Sequence, residues 1–162
     1  MKLSVNKEQI IEGLQKAAAI IPAKAGAAYL RSIWLKAEKG SLSIMATDAN
    51  IEFTGRYPAE VKQPGLIGVQ GRAFVDLVRQ LPAGVLQLTL DESTGNLLLE
   101  QGRRTYKLPV SGAEWFQNFS EFPAESPVTW SGDFLQDVLD RVVFCISDDD
   151  ATDAITCLYM KP

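Results

Sequence analysis

The feature that most restricts this chain is a repeat inside it. A shift of 125 positions lays residues 3–36 on residues 128–161 without a gap, so that Asn6 falls on Ser131, Ile10 on Leu135, Leu14 on Leu139, Lys16 on Arg141 and Ile21 on Ile146. The correspondence holds to the end of this stretch, with Leu30 on Ile155, Ile33 on Leu158, Trp34 on Tyr159, Leu35 on Met160 and Lys36 on Lys161. Self-similarity at a fixed period marks a repeated structural unit. Any two capped amphipathic helices align to some degree, because helical spacing restricts where apolar residues fall; the matched loop length is harder to obtain by chance. On this reading the chain holds one complete unit and about a third of a second, which stops in a strand, and a helix and strand alone cannot bury both faces.

The local patterns fill in the complete unit. Lys2–Val5 reads as a short strand, and Asn6 stands at a helix N-cap with Gln9 three residues on, as in a capping box. Ile10, Ile11, Leu14, Ala17, Ala18 and Ile21 recur at helical spacing opposite Lys7, Glu8, Glu12, Gln15 and Lys16, and Pro22 ends the run. Tyr29–Lys36 and Ser41–Ala46 read as strands around the turn Glu38-Lys39-Gly40, and residues 50–61 alternate as a strand does. Pro64-Gly65 is the next turn, followed by the strand Leu66–Gln70. A second helix from Gly71 turns Phe74, Leu77, Val78 and Leu81 inward before Pro82. Val85–Leu90, Leu97–Gln101 and Arg103–Val110 complete the strands. The order predicts an α+β fold with antiparallel sheets and two helices that share a core. Residues 1–122 are expected to form the complete domain, 123–126 a linker and 127–162 the beginning of the second. Trp115, Phe116, Phe119 and Phe122, interspersed in a Gly-, Ser-, Glu- and Pro-rich stretch, are expected to pack down.

Composition excludes more than it suggests. Histidine is absent, which removes the commonest general base and most imidazole metal sites. Cys145 and Cys157 are too few for a disulfide framework or a zinc site and are expected to be reduced and buried. Asp148, Asp149, Asp150 and Asp153 form an oxygen-rich run, but the glycine and glutamate of a calcium loop are missing, so no metal and no cofactor are expected. No apolar stretch is long enough to cross a bilayer, and the polar start does not resemble a signal peptide, so a cytoplasmic protein with no membrane partner is expected. The net charge of −4 is unevenly placed: residues 1–122 hold 14 Lys or Arg against 12 Asp or Glu, a surplus of +2, and residues 123–162 hold 2 against 8, a deficit of −6.

Several segments carry a resemblance. Met1-Lys2-Leu3-Ser4-Val5 before a polar amphipathic helix, Gly40-Ser41-Leu42-Ser43-Ile44-Met45-Ala46-Thr47-Asp48, Gly71-Arg72-Ala73-Phe74 with Leu81-Pro82, and Ser120-Glu121-Phe122-Pro123 are similar to segments of the bacterial DNA sliding clamps, the beta subunit of DNA polymerase III. The second unit departs from the family, since the Arg, Pro and Gly of its usual loop are here Thr152, Asp153 and Cys157. The resemblance implies an internally repeated clamp fold, a homodimeric ring around double-stranded DNA, and a processivity factor, not an enzyme. Its implied partners are DNA without sequence preference, the catalytic subunit of DNA polymerase III and the clamp loader. Carried over by position, Lys24, Arg72 and Arg79 are the candidate DNA contacts, Arg79 lying two helical turns beyond Arg72. Ala73, Leu77, Arg103, Tyr106 and Leu108 match positions where clamp subunits meet, and Ile155 matches one wall of the partner-peptide pocket. The alternatives stay open: Lys24, Arg72 and Arg79 are solvated surface, the last strand is an ordinary edge blunted by Arg103, Arg104 and Lys107, and the chain is a degenerate clamp-like domain without ring closure.

Overall fold

The computed structural model describes residues 1–22, 27–119, 128–147 and 156–161, which fall in two units, Met1–Phe119 and Ser120–Pro162. In the first, β1 (Lys2–Asn6) buries Leu3 and Val5. Helix α1 (Lys7–Ile20) buries Ile10, Leu14 and Ala17 of the stripe that the spacing predicts, with Ile21 just beyond it; Ile11 and Ala18 are half-buried, and Gly13 belongs to the buried face as well. It starts directly after Asn6, yet the Asn6 side chain makes no capping bond; of the first amides, that of Lys7 donates to the Gly84 carbonyl at 3.0 Å. Ile21 is extended (ψ 125°), as the residue before a proline prefers to be, and the helix stops there.

The strand expected from Tyr29 begins three residues later. Ala28–Arg31 is a turn of 3-10 helix and β2 runs Ser32–Glu38. The reason lies in the neighbour: β6 (Gly65–Gln70) pairs with β2 as far as Ser32↔Gln70 and there gives way to helix, so earlier residues have no ladder to join. Lys39 and Gly40 turn the chain, Gly40 in the left-handed region (φ 78°) that glycine tolerates. β3 (Ser41–Thr47) is buried from Leu42 onward on both faces, and β4 (Glu52–Pro58) alternates, with Phe53, Gly55 and Tyr57 inward. Ala59 alone separates β4 from β5 (Glu60–Gln63), which pairs with β1. Helix α2 (Gly71–Gln80) buries Phe74, Val75 and Val78, with Leu81 buried just beyond it; Val75 belongs to the inward face, and Leu77 is half-buried. β7 (Val85–Asp91), β8 (Asn96–Gln101) and β9 (Arg104–Ser111) follow.

Every pairing is antiparallel, and the strands stand in the order β4-β3-β2-β6-β9-β8-β7-β1-β5. β9 is the seam. It pairs with β8 from Arg104 to Pro109, then with β6 at Val110 and Ser111. The next β6 partner in register would face Pro109, which has no N–H to give, and the ladder ends there. α1 and α2 pack side by side, and their buried faces join one core with Leu35, Ile44, Leu88, Leu97 and Leu99. Full burial of each such side chain contributes about 1.5–3 kcal/mol. Phe116 packs edge-on against the buried Trp34 (5.2 Å) and lies 5.7 Å from Phe119, as expected of the aromatic stretch. Trp115 does not: it is 64% exposed. Phe122 lies outside the described residues.

In the second unit α3 runs Gly132–Asp140, and its first residue is the repeat partner of the first residue of α1. Here the cap is made, Ser131 Oγ accepting from the Phe134 amide at 3.3 Å. No residue of α3 is buried, and Phe134, Phe144 and Tyr159 are 52%, 78% and 88% exposed. Cys145 and Cys157 are free but exposed, against expectation, because no sheet is present among the described residues of this unit to cover them. Residues 156–161 form no strand, for the same want of a partner.

Candidate nucleic-acid interface

The helix pair runs antiparallel and is tied at both ends. Lys7 Nζ, at the start of α1, donates to the Arg79 carbonyl (3.1 Å) and the Leu81 carbonyl at the end of α2. Arg72, second residue of α2, reaches the Ile21 carbonyl just past the end of α1 at 3.5 Å, the long limit of a hydrogen bond. Between the helices Gln15, Ala18, Ala19, Arg72, Val75, Asp76 and Arg79 line a groove of about 500 Å³. Ala18 and Ala19 leave this space open by having so little side chain. Arg72 and Arg79 are both exposed, and seven residues of helix set them roughly 10 Å apart along the axis.

The electrostatics favour an anion only in part. α2 has no acidic residue in its first turn, so nothing there competes with an incoming phosphate for the helix amides. Arg79 stands in the last turn, where the helix dipole favours a cation, with Asp76 Oδ1 3.8 Å away. Both partners of that pair are well exposed, and such a contact is weak and readily exchanged for another anion. Lys24 lies outside the described residues, as do Ile155 and the aspartates at 148–150 and 153.

The second candidate group lies elsewhere on the first unit. From Arg104 to Pro109 β9 is paired with β8 on one side, and no described strand pairs with its other side, which leaves a row of main-chain groups at an edge. Arg103 is exposed in the turn that precedes it, and Ala73 is exposed on α2. Tyr106 and Leu77 are half-buried and pack on the same core from two different elements. Leu108, opposite Leu97, is a core residue at 8% exposure. Of the residues that shape the groove, Lys7, Gln15 and Asp76 escaped the sequence reading. A cation at the first position of a helix opposes the helix dipole, and that anomaly was the available signal for Lys7.

Comparison with known proteins places the fold of the first unit in a family. Residues 1–120 match the family described as the DNA polymerase III beta subunit, N-terminal domain. The beta sliding clamp of Vibrio cholerae is 26% identical over 151 residues, covering 93% of this chain and 41% of that protein. That of Streptomyces coelicolor is 27% identical over 157 residues, covering 96% and 41%. The solved structure of the Caulobacter crescentus polymerase III beta subunit superposes with a TM-score of 0.86 at 26% identity over 93% of this chain and 41% of that one. The chain thus spans about two fifths of the length of the relatives it matches. With the match running through both helices and all nine strands of the first unit, the chain belongs to the DNA polymerase III beta subunit family and carries its N-terminal domain.

Proposed function

We propose that this chain is the first part of a DNA sliding clamp: a noncatalytic processivity factor that encircles duplex DNA as a dimeric ring and tethers DNA polymerase III, loaded by a separate clamp loader. Residues 1–122 serve as the first domain, 123–126 as the linker and 127–162 as the start of the second. The observation that supports this best is the helix pair whose groove is flanked by Arg72 and Arg79 on a fold of the clamp family. A ring that holds DNA topologically needs phosphate contacts that are weak and indifferent to sequence, since tight ones would oppose sliding. Two exposed arginines on a helix, one of them loosely paired, provide that kind of contact. The open edge of β9, with Arg103 and Tyr106 beside it and Ala73 and Leu77 on α2, is the proposed meeting surface between subunits; Leu108 supports it from within the core. Lys24 is proposed as a third DNA contact and Ile155 as a wall of the partner-peptide pocket.

The test is a salt titration of binding to unrelated duplexes. Arg72→Ala/Arg79→Ala should reduce the magnitude of the salt slope by about 1.8, two contacts at roughly 0.9 each. Lys24→Ala/Arg72→Ala should do the same. An unchanged slope, or a strong preference for one DNA sequence, would overturn the assignment.

A further inference from the structure

We propose that Lys7 is a positioning residue for the DNA-facing helix pair, holding the last turn of α2 so that Arg79 is presented to phosphate. The inference rests on the DNA reading above. Lys7 is the first residue of α1, where its charge opposes the dipole of its own helix. The compensation comes from the other helix. The last carbonyls of a helix have no partner within it, and the Lys7 ammonium takes two that lie at the end of α2, those of Arg79 and Leu81. Pro82 follows, so the chain cannot continue the helix to satisfy them. The main chain of Lys7 is itself anchored through its amide to Gly84, in the loop after α2, so the ammonium acts from a fixed point.

The far end repeats the device with the helices exchanged: Arg72, in the first turn of α2, reaches the carbonyl of Ile21 beyond α1. The two latches set the spacing of the groove. They are unequal, because Arg72 makes one contact at 3.5 Å and is exposed, so it can leave for a phosphate, whereas Lys7 makes two contacts. Arg79 has a side chain that is 60% exposed and paired at 3.8 Å with Asp76, so its direction depends on the backbone turn that Lys7 holds.

A double-mutant cycle on the 162-residue chain tests this, with the salt slope of duplex binding as the readout. Lys7→Met and Arg79→Ala should each lower the slope by about 0.9, and the two together by no more than about 0.9, because both remove the same contact. Lys7→Arg should restore it. A double mutant that loses about 1.8 would mean that Lys7 touches phosphate itself, and an unchanged slope in Lys7→Met would mean that it positions nothing; either overturns the proposal. Amide hydrogen exchange provides the readout that does not depend on DNA: Lys7→Met should speed exchange at Val78 and Leu81 and leave the middle of α1 alone. Unaltered protection there would also overturn the latch. Absence of salt-dependent binding by the unmodified chain would overturn the DNA reading instead, with hydrogen exchange still deciding whether Lys7 holds α2.

Discussion

Gly13 sits inside α1 on the buried face, where alanine would ordinarily be the better helix former by roughly 0.5–1 kcal/mol. Here the sign reverses. A Cβ at position 13 would collide with the hydroxyl end of the Tyr57 ring, and a Cβ at position 55 would meet the same ring. Overpacking of this kind costs about 1–3 kcal/mol, more than the propensity gained. Gly13→Ala should therefore lower the midpoint of urea denaturation, and Gly13→Ala/Tyr57→Leu should recover it. Asp91 makes a different residue-scale prediction. Hydrogen bonds from Ser93 and Thr94 hold its carboxyl below the ordinary range, and it accepts from the Ser93 amide and hydroxyl and from the Thr94 hydroxyl in the β7–β8 turn. A carboxyl lowered on folding stabilises the fold above its unfolded value, and that contribution is lost as pH falls through the folded one. Asp91→Asn should accordingly flatten the acid limb of stability against pH, and an NMR titration of Asp91 should show the lowered midpoint.

At the scale of elements, α2 is held by Phe74, Val75 and Val78 against the core and by Gly71, whose missing Cβ makes room for Ile21 and Ile33. Phe74→Ala should cost about 3–5 kcal/mol in chemical denaturation, the usual range for a buried phenylalanine. A smaller loss would mean that α2 closes over the gap. The elements that sequence made legible are those whose signal is local. β4 showed its alternation because one of its faces meets water, and both helices showed their stripes for the same reason. What stayed hidden depended on distant partners. Tyr29–Arg31 has strand-like residues but no neighbour beyond Gln70, the side-chain cap expected of Asn6 is not made while the Lys7 amide is taken by Gly84, and Leu108, paired with Leu97, is core. The site divides the same way. A spacing of seven put Arg72 and Arg79 on one groove, whereas Lys7 is joined to α2 across 72 residues of sequence, which no periodicity reveals.

For the whole molecule, the first unit has a closed core of its own, and the described residues of the second leave α3 with no buried residue. Removing residues 123–162 should leave a cooperative unfolding transition in place. It takes away 8 acidic and 2 basic residues and changes the net charge from −4 to +2, so binding to duplex DNA should tighten modestly at low salt. The gain should fade as ionic strength brings the screening length down to about 8 Å. Unchanged affinity at low salt would show that the acidic segment does not sense the DNA. The strand order holds a further consequence. β4 and β5 stand at opposite ends of the row, yet Ala59 alone joins them. The row is therefore closed on itself by one covalent link, and with that link intact the shortest ladder in it, the two residue pairs between β6 and β9, is where it should open first under load. A single proteolytic nick at Ala59 would remove the covalent link and leave β4 and β5 joined only through their own ladders and the core.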